Sequence, residues 1–187
     1  MKTTQIENHV NGVDTKKLSD TIDAIKENSD LAKFNFCAKN QWVNGGENRT
    51  TIKDFYGAGK THVRSKPFVL TKDEPPIFLG NDHGANPVEY ALTALAGCLT
   101  TSLVYHAAAR GVKIDKVESS LEGDIDLRGL FQLDENVNPG YESIQVNFKI
   151  ESDAPKEILQ ELVKLAKKSS PVCNTITKPT SVNVVLE

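Results

Sequence analysis

Between Ala91 and Ala109 the chain carries no Asp, Glu, Lys or Arg, and small or apolar residues fall on every side of a helical projection. A helix without a polar face has to be buried all round, so this segment is the expected centre of the fold. Its start is written in Asn86-Pro87-Val88-Glu89. Asn86 can cap, Pro87 suits the first helical position, and Glu89, three residues after the cap, completes a capping box. Gly111, just past Arg110, is a good stop. About 20 apolar residues would also span a bilayer. Thr93, Thr100, Thr101, Ser102 and His106 make this stretch poor in transfer energy, so a core helix is expected and no membrane partner. Ala94, Ala96, Gly97, Ala107 and Ala108 would let a second helix approach closely, and a symmetry mate is the natural one. A homodimer is therefore expected.

The other elements group around this helix. Residues 12–33 have Leu18, Ile22, Ala24 and Ile25 at helical spacing, and 1–33 is read as a helical extension with 34–187 as the main domain. From Phe34 to Leu70 the period turns to two, with Gly and Asn punctuation at Asn44-Gly45-Gly46 and Gly57-Ala58-Gly59, which predicts a strand meander. Further strands are predicted at 117–125, at 144–150 and at 182–186, with an amphipathic helix over 155–168. Strands grouped before and after two helices give an α+β domain rather than a doubly wound one.

Composition narrows the function classes. The chain has 187 residues, 39% of them hydrophobic, enough for one core. A net charge of −3, from 22 basic against 25 acidic residues, repels a phosphate backbone, so nucleic acid is not expected as a partner. Residues 1–7 show no export signal, and the cytoplasm is the expected compartment. The cysteines are Cys37, Cys98 and Cys173; an odd set without close spacing is not a secreted disulfide framework. Cys37 is expected on a strand with Phe34 and Phe36 and reads as structural. His83 and His106 show no ligand spacing with Cys98 or Cys173, so no metal and no other cofactor is expected.

Cys98 sits near the middle of the apolar helix, and Cys173 in Ser170-Pro171-Val172-Cys173-Asn174. A thiol in apolar surroundings is neutral and inert unless a cation offsets its burial. The arginines are Arg49, Arg64, Arg110 and Arg128. Arg110 lies about 18 Å along the helix from Cys98 and suits the helix C-terminus. Arg128 is in a charged connection. Arg49, close to the Gly45-Gly46 turn, is the first candidate to serve the thiolate and Arg64 the second.

The run Asn86-Pro87-Val88-Glu89-Tyr90-Ala91-Leu92-Thr93-Ala94-Leu95-Ala96-Gly97-Cys98-Leu99, with the later Ser170-Pro171-Val172-Cys173-Asn174-Thr175, resembles the OsmC/Ohr family of osmotically inducible and organic hydroperoxide resistance proteins. Trp42 with Gly45-Gly46, Asp73-Glu74-Pro75 and the stretch from Gly123 to Gly129 add to the likeness and point to the general OsmC-like branch. It covers roughly residues 34–187. The resemblance implies an intertwined homodimer with two central helices between curved antiparallel sheets. It also implies a peroxidase that reduces organic hydroperoxides with two cysteines, an arginine and a glutamate, and is restored by a dithiol reductant. By position Cys98 matches the peroxidatic cysteine and Cys173 the resolving one, with Arg49 and Glu89 as the charged pair.

Two spacings depart from the family pattern. Val88 stands between Asn86-Pro87 and Glu89, and Glu47-Asn48 between Gly45-Gly46 and Arg49. One residue turns a helical side chain by about 100°, so Glu89 has the role of cap as an alternative to catalysis. Glu89 is also about 13 Å from Cys98 along one helix and on its opposite face, so the two can meet only across a dimer interface. The rival class is an OsmC-like protein that binds a small apolar molecule or senses oxidants with little turnover.

Overall fold

The computed structural model describes residues 8–186, and the reading of residues 1–7 as free of an export signal lies outside them. The chain opens with a hairpin, β1 (His9–Val10) and β2 (Val13–Asp14), turned by Asn11 and Gly12 at φ +54° and +77°. This left-handed pair is why the helix expected over 12–33 begins later. Helix α1 (Thr15–Glu27) is capped by Asp14, whose side chain accepts from the Lys17 N–H, and a 3-10 turn over Ser29–Ala32 follows.

The meander resolves into six short strands: β3 (Phe34–Phe36), β4 (Lys39–Asn44), β5 (Glu47–Ile52), β6 (Phe55–Gly57), β7 (Lys60–His62) and β8 (Phe68–Lys72). They form two three-stranded antiparallel sheets, ordered β3-β6-β7 and β4-β5-β8. In the second, β5 is central, and Arg49 stands opposite Gln41 on one side and Thr71 on the other.

Helix α2 (Pro87–Ala109) is the charge-poor segment; β9 (Lys116–Gly123), the short α3 (Leu127–Leu130), β10 (Ile144–Glu151), α4 (Lys156–Ser169) and α5 (Pro171–Thr177) follow. The chain separates into two compact units, one of residues 14–91 and one of residues 92–186 together with 8–13. The first holds α1, both three-stranded sheets and the first turn of α2. The second holds the rest of α2, the antiparallel β9-β10 pair and the two C-terminal helices.

The core of the second unit is built on one stripe of α2. Leu103 and Ala107 meet Leu162 and Ala166 of α4, with Phe148 and Ile150 of β10 against them. Higher on the stripe, Leu95 and Leu99 meet Cys173 of α5, with Val146 and Leu121 packed beside them. The strands alternate half-buried and exposed residues along their length, as a sheet covered on one face must. Asn11 ties the N-terminal hairpin to this unit: its amide donates to the Val112 carbonyl and its oxygen accepts from the Ile114 N–H, at 2.9 and 2.8 Å.

Two expectations are corrected here. α2 is not enclosed on every face: among the described residues Leu95, Leu99, Leu103, Ala107 and Ala108 are buried, while Ala94, Gly97, Thr101 and Tyr105 are exposed. The buried stripe is the one that meets β10, α4 and α5. α2 is the one helix among the described residues long and apolar enough to cross a membrane, and it is also the one that carries this core. The second correction is at 182–186, which forms no strand among the described residues: Val182, Val184, Val185 and Leu186 lie exposed. Alternation selects a face, but a strand also needs an edge to pair its backbone groups.

Candidate active site

Helix α2 starts as its sequence predicts. The Glu89 carboxylate accepts from the Asn86 N–H at 2.8 Å, and the Asn86 side chain accepts from the Glu89 N–H at 2.9 Å, a complete capping box. The Tyr90 hydroxyl donates to the Thr71 carbonyl at 3.0 Å, fastening this first turn to β8. At the far end Gly111, at φ +69°, lets the Val112 N–H reach the Ala107 carbonyl.

Cys98 is half-buried on α2, and Cys173 is 8% exposed on α5; both are free thiols. The Cys173 helix starts where Ser170, itself fully buried, accepts from the Cys173 N–H at 3.2 Å, with Pro171 in the first turn. Cys173 rests on Leu95 and Leu99. It is thus against the residue that follows Cys98, while Cys98 itself is turned about 100° away around the helix and lies outside that cluster. Cys173 also forms part of the wall of a cavity of about 440 Å3 whose other sides include Leu99, Ile144, Val146 and Phe148, with Lys167 among the polar lining. Cys37 falls just past β3 rather than on it and is exposed, its sulfur 3.2 Å from the Asn35 side-chain oxygen, so it fills no core.

The arginines are distributed as follows. Arg49, on β5, donates from Nη2 to Glu47 Oε1 at 2.9 Å. Arg64 lies over the rings of Phe55 and Phe68, 5.0 and 5.3 Å from their centroids, a cation–π arrangement in an aromatic cluster. Arg110 faces Glu161 at 3.5 Å, and Arg128 pairs with Asp126 and Asp134. His106 is hydrogen-bonded to Ser169 Oγ at 2.9 Å, in keeping with a structural histidine.

Arg49 belongs to a network with Glu47, Asp73 and His83, none of which is connected with Arg49 in the sequence reading: there His83 is weighed only as a metal ligand and Asp73 only as part of the family likeness. Glu47 and Arg49 are two apart on one strand and so project from the same face, the one signal that could have paired them. The second oxygen of Glu47 takes the His83 Nδ1 at 3.0 Å. Asp73, fully buried at the end of β8, accepts from three backbone N–H groups, those of Glu74, Asn81 and His83, at 2.8, 3.0 and 3.2 Å. This closes the loop from 74 to 83 and delivers His83 to Glu47. Glycines make the loop's tight packing possible: a Cβ at Gly80 would lie 1.8 Å from the Glu74 carbonyl oxygen, and one at Gly84 would lie 2.4 Å from that of Thr71.

The charges support one another. The hydrogen bond from His83 holds the Glu47 carboxyl below the usual range against the opposing effect of burial, and Arg49 adds to it. The bond to Glu47 raises His83 above the ordinary imidazole value; burial and Arg49 oppose, and the charges of Glu47 and Asp73 assist. Burial pushes Asp73 up, but its three backbone donors outweigh that and leave it lowered. Ligand atoms of Glu47, Asp73 and His83 lie within 4.8 Å of one another, close enough for a divalent ion. Their oxygens are already committed, however, to Arg49, His83 and the backbone, so the set reads as a hydrogen-bonded network.

Antiparallel sheets together with a long cysteine-bearing helix define the mixed α+β class to which the sequence pointed. Residues 80–185 match the family model described as OsmC-like protein, and the chain belongs to that family. No curated protein matches it. Among solved structures, an OsmC-like protein from Mycoplasma pneumoniae is 18% identical, with 76% of this chain and 86% of that one covered and a TM-score of 0.58. An organic hydroperoxide resistance protein OsmC from Legionella pneumophila is 17% identical, over 76% of this chain and 89% of that one, with a TM-score of 0.54. At these identities the likeness is one of fold.

Proposed function

We propose that this chain is a cytoplasmic thiol-dependent peroxidase for organic hydroperoxides, working as a homodimer. The observation that supports the reading is Cys173: a free thiol packed on Leu99, the neighbour of Cys98, in the wall of a cavity more apolar than polar; Cys98 itself does not line that cavity and has to turn toward Cys173 for the two to react. An apolar wall suits the organic part of a hydroperoxide better than hydrogen peroxide. The family membership and the Legionella pneumophila relative's name lend it weight.

In this mechanism the Cys98 thiolate attacks the distal peroxide oxygen. The O–O bond breaks, the alkoxide leaves and takes a proton as alcohol, and the sulfur becomes a sulfenic acid. Arg49 stabilises the thiolate and the departing oxygen. Cys173 then condenses with the sulfenic acid, releasing water and forming a disulfide, and a dithiol reductant restores both thiols by exchange. Glu89, with its carboxylate in the capping box, serves the helix start.

Mass spectrometry after one equivalent of cumene hydroperoxide is expected to find a Cys98–Cys173 disulfide, and Cys98→Ser is expected to abolish turnover with dithiothreitol. Two free thiols after exposure, or full turnover in Cys98→Ser, would reject the route. The same cavity favours a second reading, in which the protein binds an apolar molecule or senses oxidant. A sensor would be oxidised once by the hydroperoxide and stop.

A further inference from the structure

Arg49 and Glu47 differ in how firmly they are held. The Glu47 side chain is 9% exposed and has both oxygens engaged; the Arg49 side chain is 55% exposed and has Glu47 as its ion-pair partner. A long, half-exposed arginine samples several rotamers unless one acceptor selects among them. Glu47 is that acceptor, and it is itself located by β5 on one side and by His83 on the other. His83 in turn is fixed by its backbone N–H on Asp73, with the imidazole Nδ1 3.9 Å from the same carboxylate.

We infer that Glu47 is the positioning residue that aims the Arg49 guanidinium, the role that the family pattern gave to Glu89, and that His83 clamps Glu47 in the orientation this requires. The inference rests on the peroxidase reading for its consequence, since Arg49 is there the group that stabilises the thiolate. The charged groups that face His83 are Glu47 and Arg49 from β5 and Asp73 from the end of β8. With the imidazolium present, Glu47 is held by a charge-assisted bond at each oxygen. Once His83 loses its proton, the charged half of the clamp is gone and Glu47 and Arg49 gain freedom together.

The experiment measures single-turnover oxidation of Cys98 by cumene hydroperoxide against pH in the full chain. It compares wild type with Glu47→Gln, Arg49→Ala, the double variant and His83→Gln. Glu47→Gln is expected to lower the second-order rate constant by about tenfold, the weight of one charge-assisted hydrogen bond. The double variant should be no slower than Arg49→Ala alone, because the glutamate acts through the arginine. His83→Gln, which keeps an amide donor but cannot titrate, should lose the fall in rate expected of wild type as pH rises through the value of His83, which lies above the ordinary imidazole range.

A merely structural Glu47 would give additive losses. A wild-type rate in Glu47→Gln beside an impaired Arg49→Ala would overturn the inference and leave the peroxidase reading standing. If wild type itself is not oxidised, the peroxidase reading fails. The clamp is then decided by 15N NMR of the Arg49 guanidinium, slow to rotate in wild type and freely rotating in Glu47→Gln. Equal mobility in both would dismiss it, and His83→Gln serves the same measurement should Glu47→Gln not fold.

Discussion

Asp73 has no exposed surface, and three backbone N–H groups take the place of water around it. Its lowered carboxyl, like that of Glu47, adds stability that is complete above the unfolded value and is lost as pH falls through the folded one. His83 acts in the other direction: raised in the folded state, it contributes fully below its unfolded value and fades as pH rises through the folded value. The network therefore contributes most between the ordinary carboxylate and imidazole ranges, from about pH 4.5 to 6.5. Urea midpoints measured across pH 3 to 8 should decline on both sides of that window. Asp73→Asn should flatten the acid side and lower stability throughout, because an amide leaves an N–H facing backbone donors. An unchanged acid slope in that variant would show that Asp73 is not the group responsible.

At the scale of elements, the long helix was legible because its signals are local. The capping box, the glycine stop and the absence of charge all lie within its own span. What it packs against was not legible, since Leu103 meets Leu162 at a distance in sequence that no periodicity spans. Leu103→Ala, at a fully buried position between α2 and α4, is expected to cost about 2–5 kcal/mol, read as a lower urea midpoint with unchanged slope. A loss under about 1 kcal/mol would mean that the site collapses readily and that this stripe is not the core. The separate α5 was not foreseen either, although Ser170 and Pro171 are a cap and a first helical residue; a helix of 7 residues leaves too short a periodic trace to separate it from α4.

For the molecule as a whole, the uncovered faces of α2 and the exposed tail from Val182 to Leu186 are surfaces that the proposed homodimer would cover. Sedimentation of the full chain at micromolar concentration should give a dimer, and deletion of residues 181–187 should weaken it. A monomer under those conditions would remove the dimer from the proposed mechanism. The α+β class, the helix that carries Cys98 and the family were all readable from the chain alone, since propensity, spacing and short motifs express energies between near neighbours. Which carboxylate holds Arg49, which residues line the cavity beside Cys173, and whether 182–186 finds an edge depended on tertiary structure. Those outcomes turn on contacts such as Glu47 with His83, 36 positions apart, and desolvation and hydrogen-bond geometry at such a contact exist only once the loop between them has closed.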